Sequence, residues 1–401
     1  MRIRCVGGGP AGLYLAILAR HQGHEVTVVD RNPPGVTYGW GVVVWDGLLE
    51  ELEARDAPSA RAVRDAAFRW QDQVVAVDGA APVRVPGHGY AMGRQALLTL
   101  LAERAREVGV DLRYETEADP ADTGTADLVV AADGVHSRLR SAATEAFGPE
   151  LRPGRNRYIW LGADRVFDSF TFPFVGTEAG WVWAHAYGFD GRTSTFVVET
   201  APETWAGLGF DRLDGPGALR MIEELFADCL QGSPLRLRPG AGRTPPWTRF
   251  QQVRNRRWSA GNVVLVGDAA HTTHFSIGSG TRLALEDAMA LADALAGHAD
   301  LPQALAGYGA HRAAEVAAAQ AEAANSARWF ETVPRYIDRD PAQFAQLLLL
   351  RRSSVLQRMS PGAYLRLSHA AATLPGLAPL GGAVRRGLGR ARQADPRGAG
   401  R

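Results

Sequence analysis

The chain has 401 residues, and all 44 of its basic side chains are arginine, with no lysine anywhere. Mechanisms that need a lysine amine at the reacting or phosphate-binding atom are thereby excluded, among them Schiff-base chemistry, pyridoxal-phosphate chemistry and the Walker-type ATPase. Against 43 acidic residues the net charge is only +1, which leaves no electrostatic footprint for nucleic acid.

The N-terminus opens on a short β-like run, Arg2 to Val6, with no basic leader, and no apolar run approaches the ~18 residues of a membrane span. A cytoplasmic protein is expected. The run ends at Gly7-Gly8-Gly9-Pro10-Ala11-Gly12, a helical pattern follows through Leu13, Leu15 and Leu18, and a second strand from Glu25 to Val29 ends at Asp30. Strand, G-x-G-x-x-G turn, helix, strand and acid stand in the order of a dinucleotide-binding βαβ unit. Glycines at 7 and 9 let the backbone approach a pyrophosphate, and Gly12 lets helix and strand pack closely. The helix N-terminus offers unpaired N–H groups, and Asp30 accepts hydrogen bonds from a ribose.

Next come a helix carrying Arg94, Leu97, Leu98 and Leu101 and a buried strand from Ala126 to Ala131 that runs into Ala132-Asp133-Gly134 and Ser137. Residues 155–250 read as a second, β-rich layer. In it Trp181 to Tyr187 alternates strictly, with Trp181, Trp183, His185 and Tyr187 on one face and small residues on the other. That stripe suits either ordinary core or the roof over a flat aromatic substrate, extended by Trp160 and Phe172, with His185 polarising a ring hydroxyl or amine. A third buried strand, Gly261 to Val266, ends in Gly267-Asp268 and is followed by Gly278-Ser279-Gly280-Thr281 and a helix from Leu283 to Leu295. A carboxylate at the C-terminal end of a parallel strand faces the ligand crevice, and a helix starting near Gly280 aims free amides at an electron-rich ring edge. Leu301 to Leu380 is mostly helical. Residues 385–401 hold six arginines and one aspartate and form a solvated basic tail, leaving the rest at a net −4. Two cysteines, Cys5 and Cys229, are too few for a disulfide framework, and no His/Cys/carboxylate cluster has metal-ligand spacing. His136 and His271 read as structural parts of their turns.

Gly7 to Gly12, Asp133-Gly134 with Ser137, and Gly267-Asp268 with its helix resemble, in order and spacing over residues 1–330, the three FAD fingerprints of the class A flavoprotein monooxygenases, the para-hydroxybenzoate hydroxylase type. Tyr38-Gly39-Trp40-Gly41-Val42-Val43, Tyr158 to Gly162, Ala184 to Tyr187, Ser194 to Glu199 and His274 to Gly278 resemble one branch of it. That branch holds salicylyl-CoA 5-hydroxylase, 2-aminobenzoyl-CoA monooxygenase and the violacein-pathway tryptophan hydroxylase. The resemblance implies an α/β fold in which a Rossmann-like FAD-binding domain (1–154 and 251–330) is interleaved with a β-sheet substrate domain (155–250). A C-terminal helical region (331–384) and the basic tail follow.

It implies that Gly7, Gly9 and Gly12 face the FAD pyrophosphate and that Asp30, with Arg31 beside it, faces the adenosine. Arg94 reaches back to the cofactor, or else is a surface helix arginine. Asp133 belongs to the second fingerprint, Asp268 binds the ribityl or pyrophosphate segment, and Gly41 and Val42 lie against the ring system. Gly280 and Thr281 place N–H groups near flavin N1 and the C2 carbonyl, where negative charge develops on reduction. His274 stands where most relatives have a proline soon after the Gly-Asp-Ala-Ala-His run; it acts as acid, base or hydrogen-bond donor, or simply holds the loop. From the alternating stripe and its extension, Trp160, Trp183 and Tyr187 are the candidates to line the substrate site, with ordinary core as the other reading.

The implied activity is hydroxylation of an electron-rich ring by an FAD- and NAD(P)H-dependent monooxygenase through a flavin C4a-hydroperoxide. With no second G-x-G-x-x-G in a βαβ unit, NADH or NADPH binds transiently. The expected partners are O₂ and a small aromatic substrate, an ortho-hydroxy- or ortho-aminobenzoyl thioester on CoA or a carrier protein, or its free relative. An indole such as tryptophan is the runner-up, and a non-oxygenating flavin oxidoreductase the rival reading. Neither nucleic acid nor membrane is expected.

Overall fold

The computed structural model describes residues 1–37, 39–119, 126–238, 247–298 and 300–373; Tyr38, the basic tail and residues 374–384 lie outside the described residues. The strands, in chain order, are β1 (Arg2–Val6), β2 (Glu25–Val29), β3 (Gly41–Val44), β4 (Phe68–Val77), β5 (Val83–Gly93), β6 (Asp111–Arg113), β7 (Leu128–Ala131) and β8 (Pro149–Ala163). They continue with β9 (Phe170–Thr177), β10 (Gly180–Gly188), β11 (Ser194–Thr200), β12 (Leu235–Arg236), β13 (Thr248–Asn255), β14 (Ser259–Ala260) and β15 (Val263–Leu265). The helices that matter for the site are α1 (Pro10–His21), α2 (Arg94–Glu107), α3 (Gly280–Gly297), α4 (Leu301–Glu331) and α5 (Pro341–Leu349).

The first sheet has the order β14-β15-β7-β1-β2-β6, parallel except for the β14–β15 pair. A parallel pair needs a crossover, and α1 supplies it between β1 and β2, as the glycine-punctuated pattern requires. All four residues of β7 are buried, as are Pro10 to Ala19 of α1. Such elements are apolar on every side because other layers cover them.

The second sheet has the order β12-β8-β11-β10-β9-β4-β5-β3, with β13 also on β8. It corrects the expected division of the chain, because β3, β4 and β5 lie within residues 1–154 yet pair into this sheet, β4 running parallel to β9. Alternation along a segment specifies a strand, while the sheet it joins is chosen by tertiary pairing.

The helix α4 ties the sheets together. Tyr308 Oη donates to the Leu265 carbonyl at 3.1 Å, Arg312 Nε to Asp287 Oδ1 at 2.9 Å, and Gln320 Nε2 to the carbonyls of Val253 and Thr272 at 2.9 and 3.1 Å. Its C-terminal turns and α5 cover one half of the second sheet's inner face, where Phe172, Phe174, Trp183, Trp329, Phe330 and Phe344 form a buried aromatic core. The other half of that face stays open. Among the described residues no helix is long and apolar enough to cross a membrane, and no group of His, Cys, Asp and Glu is arranged to hold a metal ion.

Candidate active site

One large cavity lies between the two sheets. Its first-sheet wall carries the residues of all three glycine-and-carboxylate motifs: Gly7 to Ala11, Asp30, Arg31, Arg94, Asp133, Asp268, Gly280 and Thr281. Gly7 has φ +110°, and a Cβ there would stand 2.2 Å from the Ala132 carbonyl oxygen, so only glycine lets β1 turn here against β7. Asp30 receives the Gly8 N–H at 2.7 Å and the Asn32 N–H at 2.8 Å, which fixes the loop around its carboxylate. Gly12 does not line the cavity. Its Cβ would meet the Gly7 carbonyl oxygen at 2.1 Å, so this glycine serves helix–strand packing, the first of the two roles its motif suggested.

Arg94 is the first residue of α2, its backbone N–H bonded to the Trp40 carbonyl at 2.7 Å. Its guanidinium hydrogen-bonds to no described protein group, and its buried Nε is unpaired. Burial holds its pKa below the usual guanidinium range, against the attraction of Asp268. The Asp268 carboxylate, exposed to the cavity, likewise has no hydrogen bond, and burial raises its pKa against the attraction of Arg94. Asp133 uses Oδ2 to accept from the Arg138 N–H at 2.8 Å, while its buried Oδ1 is also unpaired. Buried polar groups are normally paired, so the unpaired Arg94 Nε and Asp133 Oδ1, with the Asp268 carboxylate open to the same space, mark a place for a ligand with both anionic and hydroxyl groups. The N-termini of α1 and α3 face the same space, and the first turn of a helix has no internal partners for its N–H groups. These residues fit FAD.

The opposite wall belongs to the second sheet. Gly41 of β3 is fixed on it, its N–H donating to Thr195 Oγ1 at 2.8 Å and its carbonyl accepting from Tyr187 Oη at 2.9 Å. A Cβ on Gly41 would stand 2.7 Å from both Phe189 Cβ and Thr195 Oγ1, so Gly41 and Val42 are pinned along the cavity. Burial pushes the Tyr187 hydroxyl up to about 12, which keeps it a donor in that bond. Trp160, Val197 and His185 are register neighbours on β8, β11 and β10, and all three line the cavity with Tyr158, Phe170 and Phe275.

Three expected side chains are elsewhere. Trp183 and Phe172 share the strand face with His185 but are buried under α4 and α5, Trp183 stacking on Phe330 at 5.9 Å. His274 turns away from the cavity, and Phe275 reaches it instead. The His274 ring caps the short turn Phe275–Ile277, with Nδ1 2.8 Å from Ser276 Oγ, and packs edge-on to Phe250. Burial lowers its pKa to about 4, with Glu199 opposing, so it is a neutral holder of the loop. His136, expected to be structural, lies on the cavity wall, whereas His271 is structural, bonded to Asp287 at 2.7 Å.

Sequence reasoning missed Glu199 and Arg351. Glu199 is buried among three side-chain partners: Asn156 Nδ2 at 2.8 Å, Trp183 Nε1 at 3.1 Å and His185 Nε2 at 3.3 Å. Burial alone would raise its pKa, but the hydrogen bonds from His185 and Asn156 hold it below the usual carboxylate range. Its signal was available, since it is the one charge in an otherwise uncharged strand, Ser194–Thr200. Arg351 is a buried cation bonded to Ser326 Oγ and to the carbonyls of Leu348 and Ser276, with its guanidinium over the Phe172 and Phe330 rings. Nothing local in a helical stretch announces such a position.

Residues 98–323 match the FAD binding domain family, and residues 5–36 the NAD(P)-binding Rossmann-like domain family. The chain is 40% identical over 367 residues to salicyloyl-CoA 5-hydroxylase of a Streptomyces species, covering 88% of this chain and 70% of that one. It is 43% identical over 338 residues to 3-hydroxy-4-methyl-anthranilyl-[aryl-carrier protein] 5-monooxygenase of Streptosporangium sibiricum, covering 83% and 90%. A crystal structure of 2-methyl-3-hydroxypyridine-5-carboxylic acid oxygenase shares the fold, with a TM-score of 0.68 at 21% identity over 88% of this chain and 98% of the other. With FAD as cofactor and NAD(P)H as co-substrate, the chain belongs to the class A FAD-dependent monooxygenases and hydroxylates an aromatic substrate.

Proposed function

We propose that the substrate is an ortho-hydroxy- or ortho-aminobenzoyl group carried as a thioester on CoA or a carrier protein. The observation that carries this reading is that two relatives at 40% and 43% identity are named for a salicyloyl and an anthranilyl group, each linked to such a carrier. The open half of the second sheet supports it, because Trp160, Phe170 and Phe275 form an aromatic wall with one imidazole, His185, among them.

In this reading Gly7, Gly9 and the start of α1 hold the FAD pyrophosphate, and Asp30 with Arg31 holds the adenosine end. Arg94, Asp133 and Asp268 take the polar middle of the cofactor. Gly41, Val42 and the amides of Gly280 and Thr281 border its ring. When bound, FAD supplies reductive activation of O₂ with electrons from NAD(P)H. The chain's own task is to orient the aromatic ring against the cofactor and keep water from the reacting end, for which the ring-lined wall is suited.

The test is a set of salicyl and anthranilyl thioesters, their free acids and tryptophan, offered to the FAD-loaded enzyme with NAD(P)H under oxygen-18. The thioesters should stimulate NAD(P)H oxidation most and give product carrying one labelled oxygen. Unlabelled product, or stoichiometric hydrogen peroxide with no hydroxylated product, would refute the reading.

A further inference from the structure

We propose that Glu199 is a positioning residue that fixes His185 as the Nε2–H tautomer, so that the bare Nδ1 recognises a hydroxyl or amino group on the substrate ring. The inference deepens the substrate reading above and rests on it.

The argument starts from what a carboxylate can do. Ionised, it only accepts hydrogen bonds, so its three neighbours must all donate. The Asn156 amide at 2.8 Å and the Trp183 indole at 3.1 Å do so, and neither group donates to any other described residue. His185 Nε2, at 3.3 Å, must then carry its proton toward Glu199. A neutral imidazole has one N–H, so Nδ1 is left with a lone pair and hydrogen-bonds to no described protein group. The ring cannot reorient, because Phe172, Phe275 and Phe330 surround it with centroids at 5.4, 5.4 and 4.8 Å.

The groups facing this pair favour the same state. Burial disfavours protonating His185 against the pull of Glu199, and the Arg351 guanidinium, seated over Phe172 and Phe330, adds to that effect, while His274 on the adjoining turn is itself neutral. His185 lies on the cavity wall one strand from Val197 and two strands from Trp160, a row about 10 Å long at the ~4.8 Å strand spacing. A flat ring resting on Val197 meets a hydrogen-bond acceptor at one edge of that row. Accepting a bond from a ring hydroxyl or amine draws the lone pair of that oxygen or nitrogen toward the ring, which raises the electron density that an electrophilic oxygen needs. The same acceptor leaves a ring without such a donor unrewarded.

The experiment titrates salicyl and benzoyl thioesters of N-acetylcysteamine into the FAD holoenzyme and reads Kd from the change in flavin absorbance. The wild type should bind the salicyl compound at least tenfold more tightly, and this preference should fall to about one in His185→Phe and Glu199→Met. Glu199→Gln should keep it, because its carbonyl still accepts from Trp183 and His185 while its amide faces Asn156, whose Oδ1 has no partner at present. A nitrogen-15 histidine spectrum of the wild type, assigned by the signal lost in His185→Phe, should show Nδ1 without a proton, and it decides the tautomer even if Glu199→Met fails to fold. Protonated Nδ1, a preference unchanged in His185→Phe, or a preference lost equally in Glu199→Gln and Glu199→Met overturns the inference alone. A wild type that binds neither thioester overturns the thioester reading, and the inference with it.

Discussion

Replacing Arg94 with methionine should move the stability of the apoprotein and its affinity for FAD in opposite directions. The guanidinium sits on the cavity wall with no hydrogen bond from the protein and a buried, unpaired Nε, balanced only by the nearby Asp268. Leaving a buried polar group unsatisfied costs ~1–3 kcal/mol, so methionine, which keeps the stem and drops the charge, should raise the apoprotein's unfolding free energy by ~1 kcal/mol. In the proposed role the same group makes charge-assisted bonds to the cofactor, each worth ~1.5–3 kcal/mol, so its loss should weaken FAD binding by about 10- to 150-fold. Because FAD at a hundred times its Kd contributes ~2.7 kcal/mol to folding, the holoenzyme at fixed FAD should become less stable while the apoprotein becomes more so. Urea unfolding with and without FAD, together with a flavin fluorescence titration, measures all three quantities. FAD affinity within twofold of wild type, or an apoprotein destabilised as much as the holoenzyme, would refute the argument that Arg94 is held ready for the cofactor.

Gly7→Ala should cost several kcal/mol and abolish FAD uptake, because φ +110° is closed to alanine and its Cβ would fall 2.2 Å from the Ala132 carbonyl oxygen; stoichiometric flavin in the purified variant would contradict this. His274 supplies a pH dependence of known sign. Its pKa is depressed from 6.5 to about 4, so above 6.5 it contributes nothing, and as pH falls through that window the unfolded chain takes up a proton that the folded one refuses. Stability should therefore fall by about 3 kcal/mol between pH 6.5 and 4, at ~1.4 kcal/mol per unit, and His274→Asn should flatten that limb of a urea-midpoint profile. Trp183→Ala should lower stability by ~3–5 kcal/mol with little selective effect on ligand binding, whereas Trp160→Ala should weaken aromatic ligand binding at a smaller cost in stability; equal effects on binding would place Trp183 in the site after all.

The first-sheet wall of the cavity was legible in the sequence because its chemistry is local. A glycine at Gly7, an acid at Asp30 and carboxylates at Asp133 and Asp268 each sit at the end of a strand, and a βαβ unit allows few places for such a residue to go. The helix start at Gly280 and the arginine opening α2 follow from the same pattern. The substrate wall was legible only in part. Alternation correctly put Trp183, His185 and Tyr187 on one face of β10, but that face is shared between a cavity and a core, and the division depends on where Phe330 and Phe344, some 150 residues later, come to rest. His274 was visible as a departure in the loop, yet its direction was set by the tight turn after it, which turns Phe275 into the cavity and the imidazole out of it.

Sequence by itself therefore determined that the chain builds a parallel nucleotide-binding sheet with an FAD cradle, since spacing along one strand–turn–helix carries that information. Only the tertiary structure decided which aromatic side chains line the cavity and that Glu199 backs His185. Those relations join strands that are distant in sequence, and a period-two pattern records which face a side chain is on but not what will cover it.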